Sequence, residues 1–169
     1  MEYSNKTIKL LNPILDRLEQ NKQTIIILSG IPGSGKSTLA EYLSKINKQT
    51  MWLKGDDVWK LVCPSGFNKE LTPLGFKVME TIMKGWLAKD MSIIIDTTAV
   101  TRYHRSRFIN LTRRNQYVCS IALKPNLELS CERRNGTIPS YSIDSLHAKW
   151  EEPHIEEGFD DVMLIPTPS

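Results

Sequence analysis

The side chains best suited to chemistry begin with one short run, Gly30-Ile-Pro-Gly33-Ser-Gly35-Lys36-Ser37-Thr38. Its spacing is that of a phosphate cradle. Glycines at 30, 33 and 35 let the backbone turn tightly and aim N–H groups inward at phosphate oxygens. A helix starting just after them adds its positive end. In that arrangement Lys36 reaches the β- and γ-phosphates of a nucleotide, and the Ser37 hydroxyl ligates Mg²⁺. Gly33, Ser34, Gly35, Lys36, Ser37 and Thr38 are therefore expected to hold ATP or GTP. The competing reading is an ordinary glycine-rich turn, which leaves the apolar run before the motif and the helical pattern after it unexplained.

Carboxylates come next. Asp96 ends the run Ser92-Ile-Ile-Ile-Asp96. At the end of a buried strand beside the cradle it would hold Mg²⁺ or orient an acceptor; otherwise it caps the following segment. Asp56 and Asp57 follow Met51-Trp-Leu-Lys-Gly55. A carboxylate beyond a strand end can take the proton of an attacking hydroxyl, although one of the pair would more simply cap a helix over Val58–Val62.

These groups need elements to position them. Five β-prone runs stand out: Thr24–Leu28, Thr50–Leu53, Ser92–Ile95, Tyr117–Leu123 and Val162–Ile165. Three are nearly continuous apolar stretches, as parallel strands covered on both faces should be. Helical patterns lie between them, over Ser37–Ile46, Thr72–Lys89, Thr101–Asn115, Asn126–Asn135 and Ser142–Glu151. The alternation predicts an α/β fold: a five-stranded parallel sheet with helices on both faces. Asn12-Pro13 reads as the start of a helix to about Gln20, so residues 1–23 are read as a helical extension packed on a sheet edge and 24–169 as the main domain.

A chain of 169 residues suits one domain. At 40% hydrophobic and 24% charged it is not a disordered chain. No apolar run approaches the roughly 20 residues that span a bilayer, and the first 25 residues lack a signal-peptide core, so no membrane partner is expected. The three cysteines, Cys63, Cys119 and Cys131, form neither a disulfide framework nor a zinc pattern and suit a reducing, cytoplasmic setting. The net charge of +3 hides a polarity. Residues 99–139 carry eight basic and two acidic side chains, whereas 140–169 carry one basic and seven acidic. The basic block follows Asp96. Arg102 and Arg105 fall on one helical face, with Phe108 and Leu111 marking the buried stripe. At the top of that helix the two arginines would grip phosphates of an acceptor; Arg113 and Arg114 at its far end would complement the helix dipole.

The chain resembles the kinase module of 5′-hydroxyl polynucleotide kinases, within the group of P-loop kinases that includes zeta toxins. The resemblance rests on Gly30–Ser37, the Asp56-Asp57 pair, Ile93-Ile-Ile-Asp96-Thr97-Thr98, the stretch Pro125…Glu128…Cys131…Arg134-Asn135 leading to Pro139, and Trp150-x-x-Pro153-x-x-x-Glu157-Gly158-Phe159-Asp160. It implies a doubly wound sheet, an ATP·Mg²⁺ donor and a nucleic-acid hydroxyl as acceptor. It places the general base on Asp56, the strand-end metal or acceptor ligand on Asp96, and a lid arginine for the transferring phosphoryl group on Arg134. Two departures concern the acceptor. The arginine often found three residues after the base is Trp59, which would stack on a base or belong to the core. The lid is short and lacks its usual second arginine, for which Arg133 would substitute.

The expected activity is transfer of the ATP γ-phosphate to a nucleic-acid hydroxyl, foremost the 5′-OH of DNA or RNA, with Asp57, Trp59, Arg102 and Arg105 on the acceptor side. The alternatives are a P-loop kinase for a hydroxymethylated pyrimidine base, a small molecule or a nucleotide sugar, and, from another class, a nucleotide-binding switch without transfer.

Overall fold

The computed structural model describes residues 5–66, 68–134, 138 and 140–168. In chain order the elements are α1 (Asn5–Glu19), β1 (Thr24–Ser29), α2 (Lys36–Ser44), β2 (Thr50–Lys54), α3 (Gly55–Val62), α4 (Thr72–Leu87), β3 (Ser92–Asp96), α5 (Arg102–Ile109), β4 (Tyr117–Lys124), α6 (Leu127–Arg134), α7 (Ser140–Ala148) and β5 (Asp161–Pro166). The five strands form one parallel sheet in the order β2-β3-β1-β4-β5.

The apolar strand runs explain the layering. Successive side chains of a strand point to opposite faces. Ile26 and Leu28 of β1 accordingly join α1, α2 and the inner residues of β4 and β5 on one face. Ile25 and Ile27 join α3, α4, α5 and β3 on the other. A third small cluster seats Ile31 and Val100 under α6 and α7, with Trp150 against it. Because β1 lies between β3 and β4, the chain reverses its winding direction there. Leu28 is level with Asp96, and Asp96 with Lys54. The carboxyl ends of three strands, where ligands of such sheets bind, are thus side by side.

Two helices differ most from the sequence expectation. The first begins at Asn5 and carries Pro13 inside it. Its buried residues Thr7, Leu11, Ile14, Leu15 and Leu18 recur at helical spacing, while Asn12 and Pro13 face solvent. It packs on a sheet face, against β1 and β5, rather than on an edge. The helix expected over 101–115 stops at Ile109, leaving Arg113 and Arg114 in an exposed turn where they complete no helix end. Its start is as read, with the Thr101 hydroxyl accepting the His104 N–H at 3.2 Å.

The contact between α3 and α4 depends on one missing side chain. The Trp59 indole lies on Gly75, where an added Cβ would stand 1.9 Å from ring atom Cζ3. Trp59 also meets Phe76 edge-on, with centroids 5.7 Å apart. We expect Gly75→Ala to lose about 1–3 kcal/mol by overpacking, against its gain in helix propensity of about 1 kcal/mol. Chemical denaturation measures the net loss, and a shifted Trp emission reports the displaced indole.

Candidate active site

Positive-φ residues shape the cradle. Gly33 (φ 84°) and Gly35 (φ 100°) occupy the left-handed region that glycine adopts freely. At Gly33 a side chain is doubly excluded, since its Cβ would lie 2.9 Å from the Ser130 carbonyl oxygen on α6. Lys36 opens α2, is buried, and donates from Nζ to the Ile31 carbonyl at 2.9 Å. Burial pushes its ammonium down to about 8, Asp96 and Asp56 hold it up, and Arg134 presses it down further. Ser37 and Thr38 line the same cleft as Gly33, Gly35 and Lys36. Ser34 turns inward instead: its N–H donates to Ile31 O at 3.2 Å, and its buried hydroxyl has no partner.

A second cleft adjoins the first and shares Lys36, Ser37 and Arg134 with it. Asp56, Trp59 and Asp96 form its other walls. Asp96 accepts hydrogen bonds from the Ser37 hydroxyl and from Trp52 Nε1, the latter at 3.2 Å. Its carboxyl is raised above the usual range, chiefly by burial, with Lys36, Ser37 and Trp52 opposing the rise. The Ser37 hydroxyl and the Asp96 carboxylate are a hard-oxygen donor pair, which fits a Mg²⁺ ion that keeps most of its waters. Among the described residues no group of three or more His, Cys, Asp and Glu side chains could hold a metal ion.

The aspartate pair is split by helix geometry. Both residues lie in the first turn of α3, whose N-cap is Lys54, so neither caps the helix. Asp56 faces the cleft. Asp57 points toward Lys60, 3.8 Å away, and does not line the cleft beside Asp56. Trp59 is half-buried: it lines the cleft on one side and packs on Gly75 on the other.

The arginine block does not form a phosphate grip. Arg105 is fully buried and spends its guanidinium on Glu157 and two backbone carbonyls. Arg102 faces the acidic closing segment: its backbone N–H donates to Glu151 Oε2 at 2.6 Å and its side-chain Nη2 to the Glu156 carbonyl at 3.3 Å. Arg107 pairs with Glu80 and lies over the Phe76 ring. The acidic segment thus neutralises Arg105, while Glu80 of α4 meets Arg107. Burial of an unpaired guanidinium would be prohibitive, so once Arg105 turns inward a carboxylate must meet it.

On the lid side, Arg134 lines both clefts. Arg133 borders the cradle, donating to Gly33 O at 3.1 Å and to Pro168 O at 2.5 Å. Asn135, Gly136, Thr137 and Pro139 lie outside the described residues. Sequence reasoning missed Trp52, the indole that holds Asp96. It also missed the service of Asp160, whose Oδ2 accepts the Val118 N–H at 2.7 Å and ties β5 to β4. Trp52 itself is level with Ile94, two residues before the Lys54–Asp96 pair, so its only signal in the sequence was an aromatic inside a β-prone run.

The fold and the cradle define a P-loop kinase domain. The chain belongs to the family described as an AAA domain, which it matches over residues 25–137. It is similar to the bifunctional polynucleotide phosphatase/kinase of Schizosaccharomyces pombe (strain 972), at 28% identity over 155 residues; these cover 85% of this chain and 34% of that protein's length. Among solved structures it resembles a fungal RNA kinase (TM-score 0.62, 12% identity, 87% of this chain and 39% of that one). It resembles equally a gluconokinase from Sinorhizobium meliloti 1021 (TM-score 0.61, 16% identity, 86% and 83%). Likeness at such identity shows the fold alone. Among the described residues no helix is long and apolar enough to cross a membrane.

Proposed function

We propose that this chain transfers the γ-phosphate of ATP to a hydroxyl of a nucleic acid, foremost a terminal 5′-OH. The observation that carries the transfer is that Asp56, Lys36, Asp96 and Arg134 face one cleft continuous with the cradle. A switch that only binds nucleotide has no use for a carboxylate opposite the γ-phosphate position. The similarity to a polynucleotide phosphatase/kinase supports the nucleic-acid acceptor.

In this reading the cradle and Lys36 hold the polyphosphate. The acceptor hydroxyl enters between Asp56 and Trp59. Its oxygen forms a bond to the γ-phosphorus while the bond from that phosphorus to the β,γ-bridging oxygen breaks. The hydroxyl proton passes to the Asp56 carboxylate, and ADP leaves. Lys36 and Arg134 neutralise charge on the transferring group. Ser37 and Asp96 are the residues that would hold a Mg²⁺ ion, which would supply charge neutralisation on the phosphate oxygens.

A second reading has one observation in its favour. With Arg102 and Arg105 turned to the acidic segment, the cleft lacks the arginine grip expected for a polyanionic strand, which suits a small hydroxylated acceptor. The experiment is transfer of labelled γ-phosphate to 5′-OH DNA and RNA oligonucleotides, to hydroxymethylated duplex, and to a panel of sugars and nucleotide sugars. Labelled 5′ ends support the proposal. Labelling only of sugars, or only of the modified base, replaces it with that acceptor class.

A further inference from the structure

We propose that Arg105 and Glu157 are positioning residues for phosphoryl transfer, fixing through Ala99 the Thr97–Thr98 wall of the acceptor cleft against the root of the phosphate cradle. The role in turnover rests on the kinase reading above; the brace itself does not.

Neither side chain is accessible, at 0% and 3% exposure. Arg105 Nε donates to Glu157 Oε2 at 2.7 Å and Nη2 to Oε1 at 2.6 Å, a bidentate pair. The third nitrogen, Nη1, forks between the Ala99 carbonyl at 3.1 Å and the Glu151 carbonyl at 2.9 Å. The same Ala99 carbonyl accepts the Ser29 hydroxyl at 2.8 Å, and the Gly30 N–H donates to the neighbouring Thr98 carbonyl at 3.0 Å. Ser29 ends β1, and Gly30 begins the cradle motif. Thr97 and Thr98 line the cleft beside Asp96. One buried guanidinium therefore reaches, through a single carbonyl, both the wall beside Asp96 and the root of the cradle.

The backbone there needs holding. Ala99 sits at φ 41°, in the left-handed region that a non-glycine residue rarely occupies and that persists only where the surroundings enforce it. A buried ion pair adds little stability over apolar side chains of the same volume. What this one adds is direction: four hydrogen bonds that set where the Ala99 carbonyl stands. A displacement of about 1 Å in a reacting group can cost about a hundredfold in rate.

Arg105→Lys tests the pair without removing its charge. A lysine can still meet Glu157, but its single nitrogen cannot hold the carboxylate and both carbonyls. Amide hydrogen exchange at Gly30 reads the brace without any acceptor, and kcat per nucleotide-binding site reads its consequence. We expect Gly30 exchange at least about tenfold faster, kcat lowered about ten- to a hundredfold, and ATP Kd changed by less than about threefold. Glu157→Gln, which keeps the shape and weakens the pair, should move both readouts in the same direction by less. Unchanged Gly30 exchange in Arg105→Lys overturns the brace. Faster exchange with wild-type kcat per binding site overturns the positioning role and leaves a structural one. A wild-type protein that labels no acceptor defeats the kinase reading and the role in turnover that rests on it, while Gly30 exchange still decides the brace.

Discussion

Asp56→Ala lowers kcat for transfer by about 10²–10⁴-fold, the usual contribution of a general base, while ATP Kd stays within about twofold of wild type. The separation follows from where the carboxylate sits. Asp56 is exposed on the α3 wall of the acceptor cleft and is absent from the walls of the cradle cleft, which Gly33, Gly35, Lys36, Ser37, Thr38, Arg133 and Arg134 supply. Asp57→Ala is the internal control. Its carboxylate faces Lys60 at 3.8 Å in an exposed pair, an interaction worth at most about 1 kcal/mol, so kcat should hold. Asp56→Asn keeps the shape and removes the basicity, and should fall as far as Asp56→Ala. Rapid-quench transfer assays and calorimetric titration with ATP give the two numbers. A fully active Asp56→Ala protein, or an inactive Asp57→Ala one, would move the base elsewhere.

The acceptor side is also where the sequence was least legible. Each strand run could be read to within a residue or two, most plainly where a buried parallel strand shows nearly uninterrupted Ile, Leu and Val, as in Ile25-Ile-Ile-Leu28. The cradle was legible for a related reason: its chemistry is local, and Gly33, Gly35, Lys36 and Ser37 are brought together by a turn and a helix start with no help from distant residues. The arginines were not. Helical spacing does place Arg102 and Arg105 near one another at the start of α5, as read. Which way that face looks depends on Glu157, 52 residues further on, folding back over it. No periodicity within residues 101–115 carries that information. The same limit hid Trp52, whose service to Asp96 depends on β2 lying beside β3 in the sheet order. The motif Glu157-Gly158-Phe159-Asp160 illustrates both halves of the lesson. Its residues stood out in the sequence, yet its work is architectural: Glu157 pairs with Arg105, Phe159 enters the core and Asp160 ties two strands.

The charge polarity of the chain changes meaning accordingly. A basic block near the cradle suggested a field aimed at a polyanionic acceptor. With Arg105 internally paired, Arg107 held by Glu80 and the Arg102 guanidinium turned to the Glu156 carbonyl, binding by counterion release has fewer cations to draw on near the cleft. An oligonucleotide bound there should therefore show a shallow salt dependence, set by few phosphate contacts.

Lys36→Met should cost about 10³-fold in kcat, as loss of a charged donor aimed at the transferring phosphoryl group does, and should also erase a pH dependence peculiar to this site. In the free protein, burial lowers the Lys36 ammonium to about 8 from an ordinary 10.5. Below about pH 8 the side chain is charged before and after the nucleotide arrives, and binding moves no proton at Lys36. Above it the free site is neutral, whereas the polyphosphate favours the ammonium, so binding must take a proton from solution. ATP affinity should then fall by up to about tenfold per pH unit between about 8 and 10. The same shift makes the unfolding free energy of the free protein rise with pH between about 8 and 10.5, because the unfolded chain still holds the proton that the folded one has released. Calorimetric titration at pH 9 in two buffers of different ionisation enthalpy measures the uptake directly. Wild type should take up close to one proton, and Lys36→Met none at this position. Equal uptake in both proteins would show that another group carries the linkage and that Lys36 stays charged in its buried seat.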